Sequence, residues 1–133
     1  MRNSGIGFIG LGQMGLGMAN NLAKIAAPFY AYDAVPAATE RLDGDDIIIA
    51  STLGNLAANC HLIFLCLPSA KEVNEVIFGA GGIAESAQGD LAIIDTSTID
   101  RLEAIAIHDQ LAGRSIAYAD CPISGLPFRA TDG

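Results

Sequence analysis

Basic residues are scarce in this chain: seven Lys and Arg stand against fifteen Asp and Glu, for a net charge of -8. A nucleic acid or an anionic membrane surface calls for clustered cations. Here the cations never cluster, so neither partner suits the sequence. Histidine is equally sparse. His61 and His108 lie far apart, and Cys60, Cys66 and Cys121 show no C-x-x-C spacing, so no metal site is expected. An odd cysteine count, with Cys60 and Cys66 inside apolar runs, reads as free thiols in a reducing cytoplasm. No apolar run approaches the roughly 18 residues of a membrane span. The stretch after Arg2 is broken by glycines, Gln13 and Asn20 and does not read as a signal peptide. Charged residues make up 17% of the chain, below the roughly 25% of an average domain. Hydrophobic residues make up 51%, and mean hydropathy is +0.40.

That apolar material is organised. Short β-type runs fall at residues 6–9, 29–32, 47–50, 62–67, 91–94 and 116–119, with helix-compatible stretches between most of them. The first helix carries Met14, Met18, Leu22 and Ile25 as one stripe. A second covers residues 72–78, with Val73, Val76 and Ile77 on one side. A third covers 101–111, with Leu102, Ile105, Ala106 and Leu111 inward and Asp100 as N-cap. Residues 36–42 and 54–60 are weaker candidates, and 79–82 reads as a loop. Continuous apolar strands alternating with helices predict an α/β fold: one doubly wound parallel sheet of about six strands, covered on both faces. The 133 residues read as one domain.

Six glycines lie between positions 5 and 17, giving two overlapping G-x-G-x-x-G matches. The pattern has a mechanism only between a strand and a helix. Too little chain precedes Gly5 for a strand, whereas Gly10, Gly12 and Gly15 follow the first strand and open the first helix. Gly10 then makes the tight turn, Gly12 admits a pyrophosphate and Gly15 lets helix and strand pack closely. The helix N-terminus supplies free N–H groups for the phosphates. Asp33 ends the second strand 18 residues beyond Gly15, close to the roughly 20 expected of the carboxylate that binds the adenosine ribose hydroxyls. Residues 34–38 hold no cation for a 2′-phosphate, and Arg41 lies a helical turn further on. NAD is therefore favoured over NADP, although Asp33 as a solvated loop acid is the plainer alternative. The same geometry also serves FAD and S-adenosylmethionine.

Three more stretches, FLCLPSAKEVNEVIFG, DTSTID and DCPISGLPFRATDG, follow the fourth, fifth and sixth strands. Together with GFIGLGQMGLGMANNLAK they resemble the β-hydroxyacid dehydrogenase family over essentially the whole chain. That family includes 3-hydroxyisobutyrate, tartronate semialdehyde and 6-phosphogluconate enzymes. The resemblance implies that Gly10, Leu11, Gly12, Gln13 and Met14 line the pyrophosphate turn and that Leu67 and Pro68 border the adenosine half. It places Ser97 and Thr98 near the nicotinamide ribose, and Ser124 and Gly125 on the substrate carboxylate. Thr98 also suits a cap on the 101–111 helix, and Ser124 a turn between Pro122 and Pro127. The family often writes S-G-G where this chain has Ser124-Gly125-Leu126-Pro127, and Arg101 stands where a proline is frequent.

The resemblance also implies a second, all-helical domain carrying the acid/base lysine. Only Lys24 and Lys71 are present, both before Ser124, and Lys71 is expected to face solvent. Asp120 is the nearest ionisable group to Ser124, but a carboxylate of ordinary pKa suits that task poorly. The expectation is the NAD-binding domain of a 3-hydroxyacid dehydrogenase acting on a small 3-hydroxy acid or its semialdehyde. Its expected turnover as a 133-residue chain is weak or nil. A stand-alone dinucleotide-binding or regulatory module is the alternative, and a degenerate relic without ligand is a third reading. A homo-oligomer or a separate helical domain is expected to cover the exposed sheet edge.

Overall fold

The computed structural model describes residues 4–133. Six strands form one parallel sheet: β1 (Gly5–Ile9), β2 (Phe29–Tyr32), β3 (Ile47–Ile49), β4 (Cys60–Leu65), β5 (Leu91–Asp95) and β6 (Ile116–Asp120). Their order is β3-β2-β1-β4-β5-β6, that of doubly wound dinucleotide-binding folds. The chain reverses its direction of winding between β1 and β4, so the strand ends there open a crevice.

The helices are α1 (Gln13–Ala23), α2 (Leu53–Asn59), α3 (Ala70–Phe78), α4 (Ile83–Ser86), α5 (Arg101–Ala112) and α6 (Pro127–Asp132), with a 3-10 turn at Pro36–Arg41. Among the described residues no helix is long and apolar enough to cross a membrane. Side chains alternate across the strands and so build two cores. On one face Ile9, Ile63, Leu65 and Ile93 pack with Leu56 of α2, Val73 and Ile77 of α3, Ile83 of α4 and Ile107 and Leu111 of α5. On the other face Phe8, Phe29 and Ala31 meet Ala19 of α1, with the Phe8 and Phe64 rings stacked 6.2 Å apart. This second layer stops short of β6, where Ala117 and Ala119 are exposed.

Two expected faces differ from the structure. In α5 the sheet takes Ala104, Ile107 and Leu111, whereas Leu102 is 75% and Ile105 44% exposed, and Ala106 is exposed too. The helix carries large apolar residues on both sides, so hydropathy alone does not select the buried one. In α1 the stripe runs through Gly15 and Ala19, with Met18 and Leu22 beside it, and Ile25 lies beyond the helix in solvent. β4 begins at Cys60, directly where α2 ends. α4 and α6 lie just beyond the loop read at 79–82 and the turn read between Pro122 and Pro127, in stretches for which the sequence predicts no helix. Gly5, expected to precede the first strand, begins β1.

Candidate functional site

Gly10 joins β1 to α1. Its φ is +100°, and a Cβ there would lie 2.1 Å from the Cys66 carbonyl oxygen, so only glycine fits between β1 and β4. At Gly15 a Cβ would lie 1.9 Å from the Gly10 carbonyl oxygen, which is the close strand–helix packing expected of the third glycine. Gly12 is the opposite case: a Cβ there would meet nothing within 4 Å. It faces open space at the N-terminus of α1, where no side chain caps the first turn. Helix N–H groups in that position attract anions.

The crevice over these residues has a volume of about 610 Å³ and is lined by Gly10, Gly12, Gln13, Met14, Gly15, Asp33, Leu67 and Pro68. Ile9, Tyr32, Ala34, Cys66, Glu72, Glu75 and Val76 complete the wall. The ionisable carboxylates of Asp33, Glu72 and Glu75 face it, and among the described residues no Lys or Arg does. The two glutamates come from α3. The Glu72 carboxyl is held below its usual value by the Ser69 hydroxyl, which donates to it.

Asp33 is more than a loop acid. Its Oδ2 accepts the Leu11 amide hydrogen at 2.8 Å and its Oδ1 accepts that of Val35 at 2.8 Å. One carboxylate thus clasps the glycine turn and the segment after β2 together. Leu11 itself is buried and turns its side chain into the core.

Ser97 and Thr98 part company. Ser97 is buried, and its Oγ accepts the Leu67 amide hydrogen at 2.9 Å, tying the loop after β5 to the crevice wall. Thr98 is exposed, and the N-cap of α5 is Asp100, whose side chain accepts from the Leu102 amide. Ser124 and Gly125 form an exposed turn between β6 and α6, Gly125 at φ +118°. They do not line the 610 Å³ crevice.

The strand ends carry a buried network that motif reading missed. Asp95 is fully buried at the end of β5. Its Oδ1 accepts the Ser97 amide, its Oδ2 accepts the Tyr118 hydroxyl at 2.6 Å, and its carbonyl accepts the Cys121 amide at 2.8 Å. Beside it Thr96 donates its hydroxyl to the Leu65 carbonyl. A lone acid closing a run of Leu, Ala and Ile is the signal that was available, because a carboxylate there must be buried with partners. Asp120 is exposed, with its carboxyl raised by partial burial and by the Asp95 charge. It lines a separate pocket of about 270 Å³ with Arg101, His108 and Tyr118. Lys71 is exposed on α3.

Known proteins are similar to this chain in architecture and in sequence. A 2-(hydroxymethyl)glutarate dehydrogenase of Eubacterium barkeri is 33% identical over 90% of this chain and 40% of its own length. The mitochondrial 3-hydroxyisobutyrate dehydrogenase of Mus musculus is 33% identical over 96% of this chain and 38% of its own. Psf3, solved in complex with NADP+ and 2-OPP, superposes with a TM-score of 0.88 at 23% identity, covering 96% of this chain and 45% of that one. The chain thus spans less than half the length of each. Residues 5–133 match the family model for the NAD binding domain of 6-phosphogluconate dehydrogenase, and the chain belongs to that family.

Proposed function

We propose that this chain is the cofactor-binding part of an oxidoreductase for small 3-hydroxy acids or their semialdehydes, and that it prefers NAD to NADP. One observation carries the preference: among the described residues, the crevice at the β1/β4 switch point is faced by the carboxylates of Asp33, Glu72 and Glu75 and by no Lys or Arg. Three carboxylates repel a 2′-phosphate, while the uncapped start of α1 attracts the pyrophosphate bridge common to both cofactors. Gly10, Leu11, Gly12, Gln13, Met14 and Gly15 form the diphosphate turn, with Asp33 toward the adenosine ribose. Leu67 and Pro68 border the adenosine half. Ser97 orients the Leu67 backbone, and Thr98, exposed beyond it, lies toward the nicotinamide ribose.

The residues present fit the group. A nicotinamide bound beyond Ser97 would take the hydride from the carbinol carbon. The Ser124–Gly125 turn binds the substrate carboxylate, and Pro68 and Leu67 limit water on the cofactor's flank. A proton acceptor for the substrate hydroxyl is not supplied by Lys71, which is exposed, or by Asp120, which lines the other pocket. That group belongs to a helical domain or partner lying over β6, where Ala117 and Ala119 are uncovered. A second copy of this chain is the other way to cover that edge. The free thiols of Cys60, Cys66 and Cys121 fit a reducing compartment such as the cytoplasm.

Titration followed by nicotinamide fluorescence tests the preference. NADH is expected to bind about tenfold or more tightly than NADPH. Equal affinities contradict it.

A further inference from the structure

The segment carrying Ser124 is suspended between two anchors. At one end the Cys121 amide donates to the Asp95 carbonyl. At the other end α6 lies against α1, the helix that begins at the diphosphate turn. Two residues of α1, Asn21 and Gly17, are central to that contact, and neither lines the crevice. Asn21 donates its Nδ2 hydrogens to the carbonyls of Ala130 at 2.8 Å and Thr131 at 3.1 Å. Its Oδ1 accepts from Lys24 Nζ, which fixes the orientation of the amide. Gly17 leaves room for the α6 backbone: a Cβ there would stand 2.8 Å from the Ala130 carbonyl carbon and 2.8 Å from the Thr131 nitrogen. Ser124 and Gly125 are exposed and make no hydrogen bond of their own among the described residues. Their placement is inherited from the anchors on either side.

We infer that Gly17 and Asn21 are positioning residues for the substrate turn: by clamping α6 onto α1 they set Ser124 and Gly125 relative to the diphosphate turn. This rests on the reading of Ser124 and Gly125 as the carboxylate site. The arrangement makes one rigid helix the reference for both ligands. Its N-terminus meets the cofactor, and its second and third turns hold the element that presents the substrate site. A free amide side chain suits the task because the last carbonyls of a short helix have no intrahelical partners.

Hydrogen exchange on the NADH-saturated chain, comparing Asn21→Ala and Gly17→Ala with the parent, tests the clamp. Both variants are expected to exchange about tenfold faster across residues 122–132, with NADH affinity held within about twofold. Gly17→Ala improves the helix propensity of α1, so exchange inside α1 is expected to stay level or slow. That separates loosened docking from general destabilisation. Unchanged exchange across 122–132 in both variants overturns the inference, as does faster exchange spread over the whole sheet. Adding 3-hydroxyisobutyrate tests the underlying reading independently. It should protect residues 122–126 in the parent and protect them less in both variants. No protection in the parent contradicts the role of Ser124 while the clamp result stands.

Discussion

Tyr118 donates its phenolic hydrogen to Asp95 Oδ2 at 2.6 Å, across the boundary between β6 and β5. Removing it leaves a fully buried carboxylate oxygen without that partner. Tyr118→Phe is expected to lower stability by about 1–3 kcal/mol, read as a shift in the denaturation midpoint. The Tyr118 phenol is raised above its ordinary 10.0 by burial first, then by its hydrogen bond to Asp95 and the Asp95 charge. The folded chain therefore holds this proton more tightly than the unfolded chain does. That contribution is whole below pH 10 and is lost as the pH climbs further. Stability of Tyr118→Phe should accordingly fall less steeply in that alkaline range.

The three motif glycines should separate by experiment. Gly10→Ala meets both a positive φ and the Cys66 carbonyl, and Gly15→Ala meets the Gly10 carbonyl. Each is expected to lower the melting temperature sharply, by about 1–3 kcal/mol or more of stability. Gly12→Ala projects into open space, so its melting temperature is expected to be unchanged. Its NADH affinity should fall about tenfold or more, because the methyl group would occupy the place proposed for the phosphates.

Asp33 serves the fold whether or not a ligand is bound. Asp33→Asn keeps one acceptor and puts a donor where Leu11 or Val35 also donates. Hydrogen bonds to a charged group contribute about 1.5–3 kcal/mol each. The variant is expected to bind NADH roughly ten- to a hundredfold more weakly and to narrow the NADH over NADPH preference. Calorimetric titration of both nucleotides measures this. Retained affinity and preference would count against Asp33.

Thiol labelling maps the crevice from outside. Cys60 is buried and its thiol is pushed up to about 12 by burial, so it is expected to stay unlabelled at pH 8 until the chain unfolds. Cys121 is exposed and should label first. Cys66 is raised chiefly by burial and lines the crevice. It should label slowly, and more slowly still with NADH bound.

How much of this was legible follows from where each signal resides. The strands and the Gly10–Gly15 turn could be read because backbone geometry demands particular residues at adjacent positions. Asp33 could be placed by spacing. Its clasp on Leu11 could not, because that contact depends on how β1 and β2 pair. The inward side of α5 is not legible because Leu102 and Ile105 outrank the buried Ala104 in hydropathy, so the helix offers large apolar residues on both sides. α6 was invisible for a related reason. It is six residues long, exposes Phe128, and is held by Gly17 and by Asn21 more than a hundred residues earlier. Glu72 and Glu75 were legible as helix residues but not as crevice wall, since only the sheet order brings α3 over β1.

A dinucleotide is expected to lie across the β1/β4 switch point with its phosphates on the start of α1. Amide chemical shifts of the isotopically labelled chain, recorded during titration with NADH, test it most directly. Saturable shifts are expected at residues 10–15, 33–34 and 66–68, with β3 and the exposed face of α5 unmoved. Shifts centred on the pocket of Arg101, His108 and Tyr118, with residues 10–15 unchanged, would contradict it.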